Sequence, residues 1–196
     1  MSRSPHARHT LAAIGALLLA TLALAPVRDL LEAGMERHML LQYPLLMLAG
    51  ALLGGIVPRP LARALSAWNA MGLAGLAAAM LSLGVLMIPR VLDLALTDPA
   101  VEAAKFAVLV LVGAVLGPSW RDAGPVVQAF CMGVFLPMTV AVGALYQDAP
   151  LRLCNAYRLD EQQDLGLHLI LVAIALAALW LGRTARAVVA VGSVCR

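Results

Sequence analysis

The sequence predicts an all-α fold, a polytopic membrane helical bundle of about six transmembrane helices. Hydrophobic residues make up 62% of the 196 residues and charged residues only 13%, and the mean hydropathy is +0.90. A soluble domain averages about a quarter charged residues. The apolar runs are continuous and about 20 residues long, which indicates membrane-spanning helices rather than the alternating strands of a β-barrel.

Six apolar runs define the elements of this bundle. The predicted spans are Thr10–Pro26, Met39–Val57, Ala67–Pro89, Phe106–Trp120, Pro125–Tyr146 and Leu165–Gly182. Because the fourth run is short, we expect its helix to extend back into residues 101–105. The spans form one transmembrane domain, residues 10–182, between an N-terminal tail of residues 1–9 and a C-terminal tail of residues 183–196.

Prolines mark most of the span boundaries, where a missing backbone N–H is best tolerated. Those at or beside boundaries are Pro26, Pro58, Pro60, Pro89, Pro118 and Pro125. Pro44 and Pro137 fall inside spans and predict kinks. The first span also has features of a cleaved signal peptide, with an Ala23-Leu24-Ala25 site. An uncleaved helix is favoured, because Pro26 would directly follow the cut, but both interpretations stay open.

The charges predict the orientation in the membrane. The two termini and the two segments on their side carry eight arginines and a single acid, Asp122, whereas the three opposite loops carry six basic and ten acidic residues. By the positive-inside rule, both termini are predicted to be cytoplasmic and the acidic loops to face outward. The basic excess is therefore a topology signal, and no Lys/Arg run predicts a nucleic-acid partner.

A group of soft ligands stands at the outer end of the second span. Met35, His38 and Met39 carry thioether and imidazole groups, which suit copper, and Met favours Cu(I). His168 joins the candidate set because it is predicted at a similar depth. The alternative is that His38 is an interfacial residue and that the methionines only pack.

Three segments of the chain are similar to a known family. They are His38-Met39-Leu40-Leu41-Gln42 with the following Pro44, residues 88–120, and the stretch from Tyr146 to Gly166. In these segments the chain resembles the polytopic CtaG-type assembly factors for cytochrome c oxidase, which are found in bacterial plasma membranes. The resemblance covers residues from about 28 to 182.

The chain departs from the family pattern where the family has histidines. The second histidine of its His-Met-x-x-His pattern is Gln42 here, and two histidines around a glutamate are replaced in the segment with Glu102, Ala104 and Lys105. Gln42 joins the candidate set of metal ligands only through this family resemblance. Glu102 and Lys105 are expected to form an ion pair with each other, three residues apart on one helix. The chain also has room for six spans where the family generally has seven.

The resemblance implies a bacterial inner-membrane chaperone in the assembly of cytochrome c oxidase or another cuproprotein. Its partners would be the lipid bilayer and a haem–copper oxidase subunit, and copper would be held or passed at the outer face. Two alternatives stay open: a membrane scaffold that has lost metal binding, and a transporter of copper or a small solute. No enzyme is predicted, because the chain has no zinc, phosphate-binding or nucleophile motif.

The glycines predict helix contacts. Gly50 and Gly54 form a G-x-x-x-G pattern, and Gly72 with Gly75 opens the third span. Small residues at such spacing allow helix backbones to approach closely.

Overall fold

The computed structural model describes residues 5–194, without the side chains of residues 5, 59, 61 and 187–194. These residues are almost entirely helical, and no strand occurs among them. The helices are α1 (Pro5–Ala23), α2 (Ala25–Glu32), a π-helical turn (Arg37–Gln42) that continues into α3 (Tyr43–Leu53), α4 (Arg59–Trp68), α5 (Leu73–Leu86), α6 (Pro89–Thr97), α7 (Pro99–Asp122), α8 (Pro125–Asp148) and α9 (Leu159–Val194). Short 3-10 turns follow α3 at Gly54–Ile56 and precede α5 at Ala70–Gly72.

The predicted all-α membrane bundle is confirmed. Five helical stretches are long and apolar enough to cross a membrane, and the number is six if a pair bent by 62° (Ala62–Trp68 with Ala70–Leu86) is counted as one broken span. The other five are His6–Ala23, Arg37–Ile56, Pro99–Asp122, Pro125–Asp148 and Leu159–Arg186. Each of the six predicted runs falls on one of these stretches.

The boundaries differ from the prediction in three places. The fourth span begins at Pro99, further back than the expected residues 101–105. Pro118 lies inside α7 rather than at its end, near enough to the last turn that few backbone hydrogen bonds are affected. The third span is broken, because Met71 (φ 55°) and Gly72 (φ 71°) leave the right-handed helical conformation.

The bundle has two ends of opposite character. The basic end holds the start of α1, α4, the end of α7, the start of α8 and the last turns of α9. There Arg8 Nε donates a 2.7 Å hydrogen bond to the Gly55 carbonyl and ties α1 to the end of α3. The acidic end holds α2, α6, the segment of residues 149–158 and the starts of α3, α7 and α9.

Parallel helices α3 and α7 cross at a pair of glycines. A Cβ atom on Gly50 would collide with the carbonyl of Val110, and one on Gly113 would collide with that of Met47. The predicted close packing at Gly50 is therefore confirmed. Eight residues before the crossing on each helix, about 12 Å toward the acidic end, lie Gln42 and Lys105.

Candidate functional site

A buried polar cluster lies at the acidic end of the bundle. It consists of Glu32 from α2, His38 and Gln42 from the π-helical turn, Lys105 from α7, and Tyr157 from the segment before α9. His38 and Gln42 are fully buried and Lys105 is 1% exposed. Ionisable side chains inside a membrane bundle are rare, so we call these five residues the Lys105 cluster and treat them as the candidate site.

The π-helical turn has a local cause in the sequence. Pro44 has no N–H group, so it cannot donate to the carbonyl of Leu40, and the wide turn stands directly before it. Turns of this kind are rare and are frequent at functional sites. His38 and Gln42 are four residues apart and therefore lie next to each other on the side that faces α7.

Lys105 places a positive charge between three acceptors. The Asp98 carboxylate caps α7 by accepting from the backbone N–H of Ala100 at 2.8 Å, and Lys105 follows two turns later. Lys105 Nζ donates to Glu32 Oε1 at 2.6 Å, to Gln42 Oε1 at 3.1 Å and to His38 Nε2 at 3.0 Å. The three N–H donors of the ammonium group are thus matched by three acceptors.

The hydrogen bonds assign one tautomer to His38. The Tyr157 hydroxyl donates to the Glu32 carbonyl at 3.0 Å, so its oxygen accepts from His38 Nδ1–H at 2.7 Å. The lone pair of Nε2 then faces Lys105. Gln42 Nε2 donates to Glu32 Oε1 at 2.9 Å, which closes the ring of contacts. A histidine with one nitrogen fixed by a neighbour and the other facing a cation has the arrangement typical of metal-ligating histidines.

The position of Tyr157 depends on Asp93 in α6. The Asp93 carboxylate accepts from the backbone N–H groups of Asn155 and Ala156 at 2.9 and 3.1 Å, and from the Asn155 side chain at 3.1 Å. Gln162 holds the same segment by accepting from the Leu153 N–H at 2.7 Å. These contacts fix the segment of residues 149–158 over the cluster.

Burial governs the ionisation of this segment. Burial, together with the nearby charge of Asp93, raises the pKa of the Cys154 thiol to about 12. Burial, followed by the charge of Glu32, also raises the pKa of Tyr157. Cys154 is therefore a neutral thiol at physiological pH, whereas metals bind the thiolate.

The expected ion pair between Glu102 and Lys105 is not formed, and this prediction was wrong. Glu102 instead pairs with Arg28 of α2 at 3.2 Å, while Lys105 pairs with Glu32 at 2.6 Å. The reason is that α2 brings one opposite charge to each of them. Two ion pairs, one partly buried and one almost fully buried, thus join α2 to the start of α7.

The predicted site residues fall into three settings. His38 and Gln42 meet in the Lys105 cluster. Met35 and Met39 are buried in the neighbouring apolar core, which also contains Cys154. His168 is 48% exposed and pairs with Glu36 at 2.6 Å, outside the cluster.

A copper ion does not fit the cluster with Lys105 in its observed position. A metal bound to His38 Nε2 would take the position of the ammonium group, and the two cations would repel each other. Within residues 5–194, no group of three or more His, Cys, Asp or Glu side chains is arranged to hold a metal. The copper site itself stays a prediction.

Sequence reasoning missed Glu32, Tyr157 and Asp93. Glu32 ends a short amphipathic helix, and nothing in its local sequence distinguishes it from the other acids. Tyr157 falls in the tyrosine-bearing segment of the family resemblance, which was the one available signal.

The fold and the cluster define a polytopic helical membrane protein with a buried, charge-paired polar site at one end. A comparison with models of protein families, with curated proteins and with solved structures found no match for this chain.

Proposed function

We propose that the protein is an integral membrane assembly factor of the CtaG type, a non-enzymatic scaffold in which a lysine ammonium fills the cation position of the site. The observation that carries the proposal is the contact of Lys105 Nζ with Glu32, His38 and Gln42 at 2.6, 3.0 and 3.1 Å.

The chemistry of the cluster supports a built-in cation. One nitrogen and two oxygens converge on the ammonium group from three side chains, as ligands converge on a metal ion. Lys105 also stands in the segment where the resembled family has histidines. A positively charged side chain would thus occupy a position at which the family has a residue able to bind a metal. The rigid cluster holds α2, α3 and α7 together and gives the acidic end a fixed shape for a partner protein.

The partner that we propose is a haem–copper oxidase subunit or another cuproprotein in the same bilayer. This proposal rests on the resemblance in residues 88–120 and in the two flanking segments. The site of action would be the bacterial plasma membrane, with the basic end in the cytoplasm, because arginines dominate that end.

The assembly role is tested by deleting the gene in the source bacterium and measuring the haem–copper oxidase activity of its membranes. We expect activity to fall, and to return with the wild-type gene and with an Arg90→Met control. Lys105→Met should restore it poorly at an equal amount of membrane-inserted protein. Normal oxidase activity in the deletion strain would overturn the assembly role.

Copper supplementation separates a scaffold from a copper-holding factor. If the protein supplied copper, excess copper in the medium would bypass its loss and restore oxidase activity. A scaffold cannot be bypassed in this way, so we expect the deletion strain to stay deficient at every copper concentration that the cells tolerate.

A further inference from the structure

The described side chains of helix α4, at the basic end, pack against almost nothing in the protein. Every described side chain in it is exposed, and Trp68 is 87% exposed. Helices α2 and α6 at the acidic end are also short and amphipathic, but each turns one side into the bundle. Helix α4 is the first arm of the bent third span, and the 62° bend takes it out of line with α5, so the surroundings that fit it are those of the bilayer surface.

The two faces of α4 are chemically distinct. At 100° per residue, Leu65 and Trp68 lie about 60° apart on one face. Arg63 and Ser66 lie on the opposite face. A helix with aromatic and aliphatic residues on one side and arginine on the other has the pattern of helices that lie in the membrane interface.

The direction of α4 is fixed at the break before α5. Asn69 Nδ2 donates to Ser119 Oγ at 2.8 Å, and Asn69 Oδ1 accepts from the Gly75 N–H at 2.8 Å. Gly72 packs so closely on the Ser119 carbonyl that a Cβ atom would collide with it. These contacts hold the 62° bend, which tilts α4 away from the direction of the membrane span α5.

The charge of this end indicates the lipid class. Five arginines with described side chains belong to it, and the acid among the described residues there is Asp122. The five are Arg8, Arg63, Arg121, Arg183 and Arg186. A basic surface at the headgroup level attracts anionic phospholipids.

We propose that α4 is an in-plane anchor that binds anionic phospholipid headgroups. Leu65 and Trp68 enter the boundary between headgroups and acyl chains, and Arg63 contacts the phosphates. The anchor sets the depth of the basic end in the membrane. It does not depend on the assembly role, since it rests on α4 alone.

Trp68 fluorescence tests the position of the helix. The full chain carries three tryptophans, so a Trp120→Phe, Trp180→Phe background leaves Trp68 as the single reporter. We expect strong quenching in phosphatidylcholine–phosphatidylglycerol vesicles by spin labels near the headgroup, and weak quenching by labels near the bilayer centre. Emission that neither label quenches would overturn the proposal and would indicate a protein-covered or water-exposed face.

Lipid enrichment tests the headgroup chemistry. In nanodiscs with equal amounts of the two lipids, we expect Arg63→Gln to lower the ratio of phosphatidylglycerol to phosphatidylcholine next to α4 by up to about fivefold, the effect of one basic residue at the surface. Arg63→Lys should keep the enrichment, and Arg90→Gln, an exposed arginine of α6 at the acidic end, should not change it. Equal enrichment in the wild type and Arg63→Gln would contradict the proposal. Unchanged thermal unfolding of both variants would show that folding is intact.

Discussion

Short amphipathic helices at the two ends of this bundle are similar in length and in pattern but differ in what they contact. Helices α2, α4 and α6 are eight to ten residues long, and each has a proline in its first turn. At the acidic end, α2 and α6 supply Glu32 and Asp93 to a network that buries Lys105. At the basic end, the described side chains of α4 supply no contact of this kind and stay exposed.

The difference shows that an amphipathic pattern predicts a helix with two unlike faces. The pattern does not tell whether the protein or its surroundings cover each face. On α2 and α6, Glu32 and Asp93 are turned toward partners inside the protein, since Glu32 accepts from Lys105 and Asp93 accepts from the segment before α9. For α4 the polar face keeps its net positive charge. The acidic end is therefore suited to hold a fixed structure, and the basic end to contact lipid.

Substitution of Lys105 should lower the free energy of unfolding the most. Lys105→Met leaves His38 Nε2 and Gln42 Oε1 without a donor and the buried Glu32 carboxylate without a positive charge, so we expect the free energy of unfolding to fall by about 3 to 5 kcal/mol. Denaturant unfolding of the protein in detergent measures it. The exposed Arg90→Met control should change it by less than about 0.5 kcal/mol.

A double substitution separates this charge pairing from simple loss of packing. Glu32→Gln combined with Lys105→Met should be less destabilising than the sum of the two single variants, because neither charge is then left alone. Additive effects would contradict the pairing.

The two histidines near the acidic end should differ strongly. His38→Ala leaves a Lys105 donor and the Tyr157 hydroxyl without their partner and opens a cavity, so we expect a loss of about 2 to 4 kcal/mol. His168→Ala removes a half-exposed contact with Glu36 worth about 1 kcal/mol or less. Thermal unfolding of the two variants gives the comparison, and equal losses would place His38 in a looser environment than the one described.

The segment over the cluster should respond to alkaline pH. Because burial raises the pKa of Cys154 to about 12, the folded state holds this proton more tightly than the unfolded chain, whose cysteine titrates near 9. The free energy of unfolding should therefore fall as the pH rises from 9 to 12, and less steeply in Cys154→Ala.

The alkylation rate of Cys154 reports its raised pKa at a lower pH. In a Cys131→Ser, Cys195→Ser background, three pH units between the two pKa values make the thiolate about a thousandfold rarer in the folded state at pH 8. Iodoacetamide should accordingly modify Cys154 far more slowly before unfolding than after it. Equal rates would mean that the segment opens freely.

Substitution of Trp68 at the basic end should give the smallest effect. Trp68→Ala should change the free energy of unfolding in detergent by less than about 0.5 kcal/mol, because the side chain is 87% exposed. Trp120→Ala is the matched comparison, since Trp120 packs on the buried residues Leu76, Ala123 and Cys131. A loss of about 1 to 3 kcal/mol is expected there. A larger effect at Trp68 would mean that α4 packs on the protein.

The spans were predictable from the sequence and the partners of the polar residues were not. Continuous apolar runs placed all six spans, and the short fourth run correctly indicated a helix that begins earlier. Glu102 and Lys105 were matched to each other because sequence spacing reports only neighbours on one helix. Their true partners, Arg28 and Glu32, are more than 70 residues away on α2.

The candidate site was predictable only in part for the same reason. His38 and Gln42 share a face by their spacing, so their meeting was foreseeable. Lys105 reaches them because Gly50 and Gly113 bring α3 and α7 into backbone contact, which depends on two helices together. His168 has the right depth for the cluster, but it faces Glu36 instead.

Copper binding by the purified protein under reducing conditions tests the central claim most directly. If the Lys105 ammonium fills the cation position, the wild type should hold no more Cu(I) per chain than His38→Ala. Lys105→Ala removes the ammonium group and should gain a site for one Zn²⁺, because the nitrogen of His38 and the oxygens of Glu32 and Gln42 suit that ion. About one Cu(I) per wild-type chain, lost on His38→Ala but kept on His168→Ala, would contradict the claim.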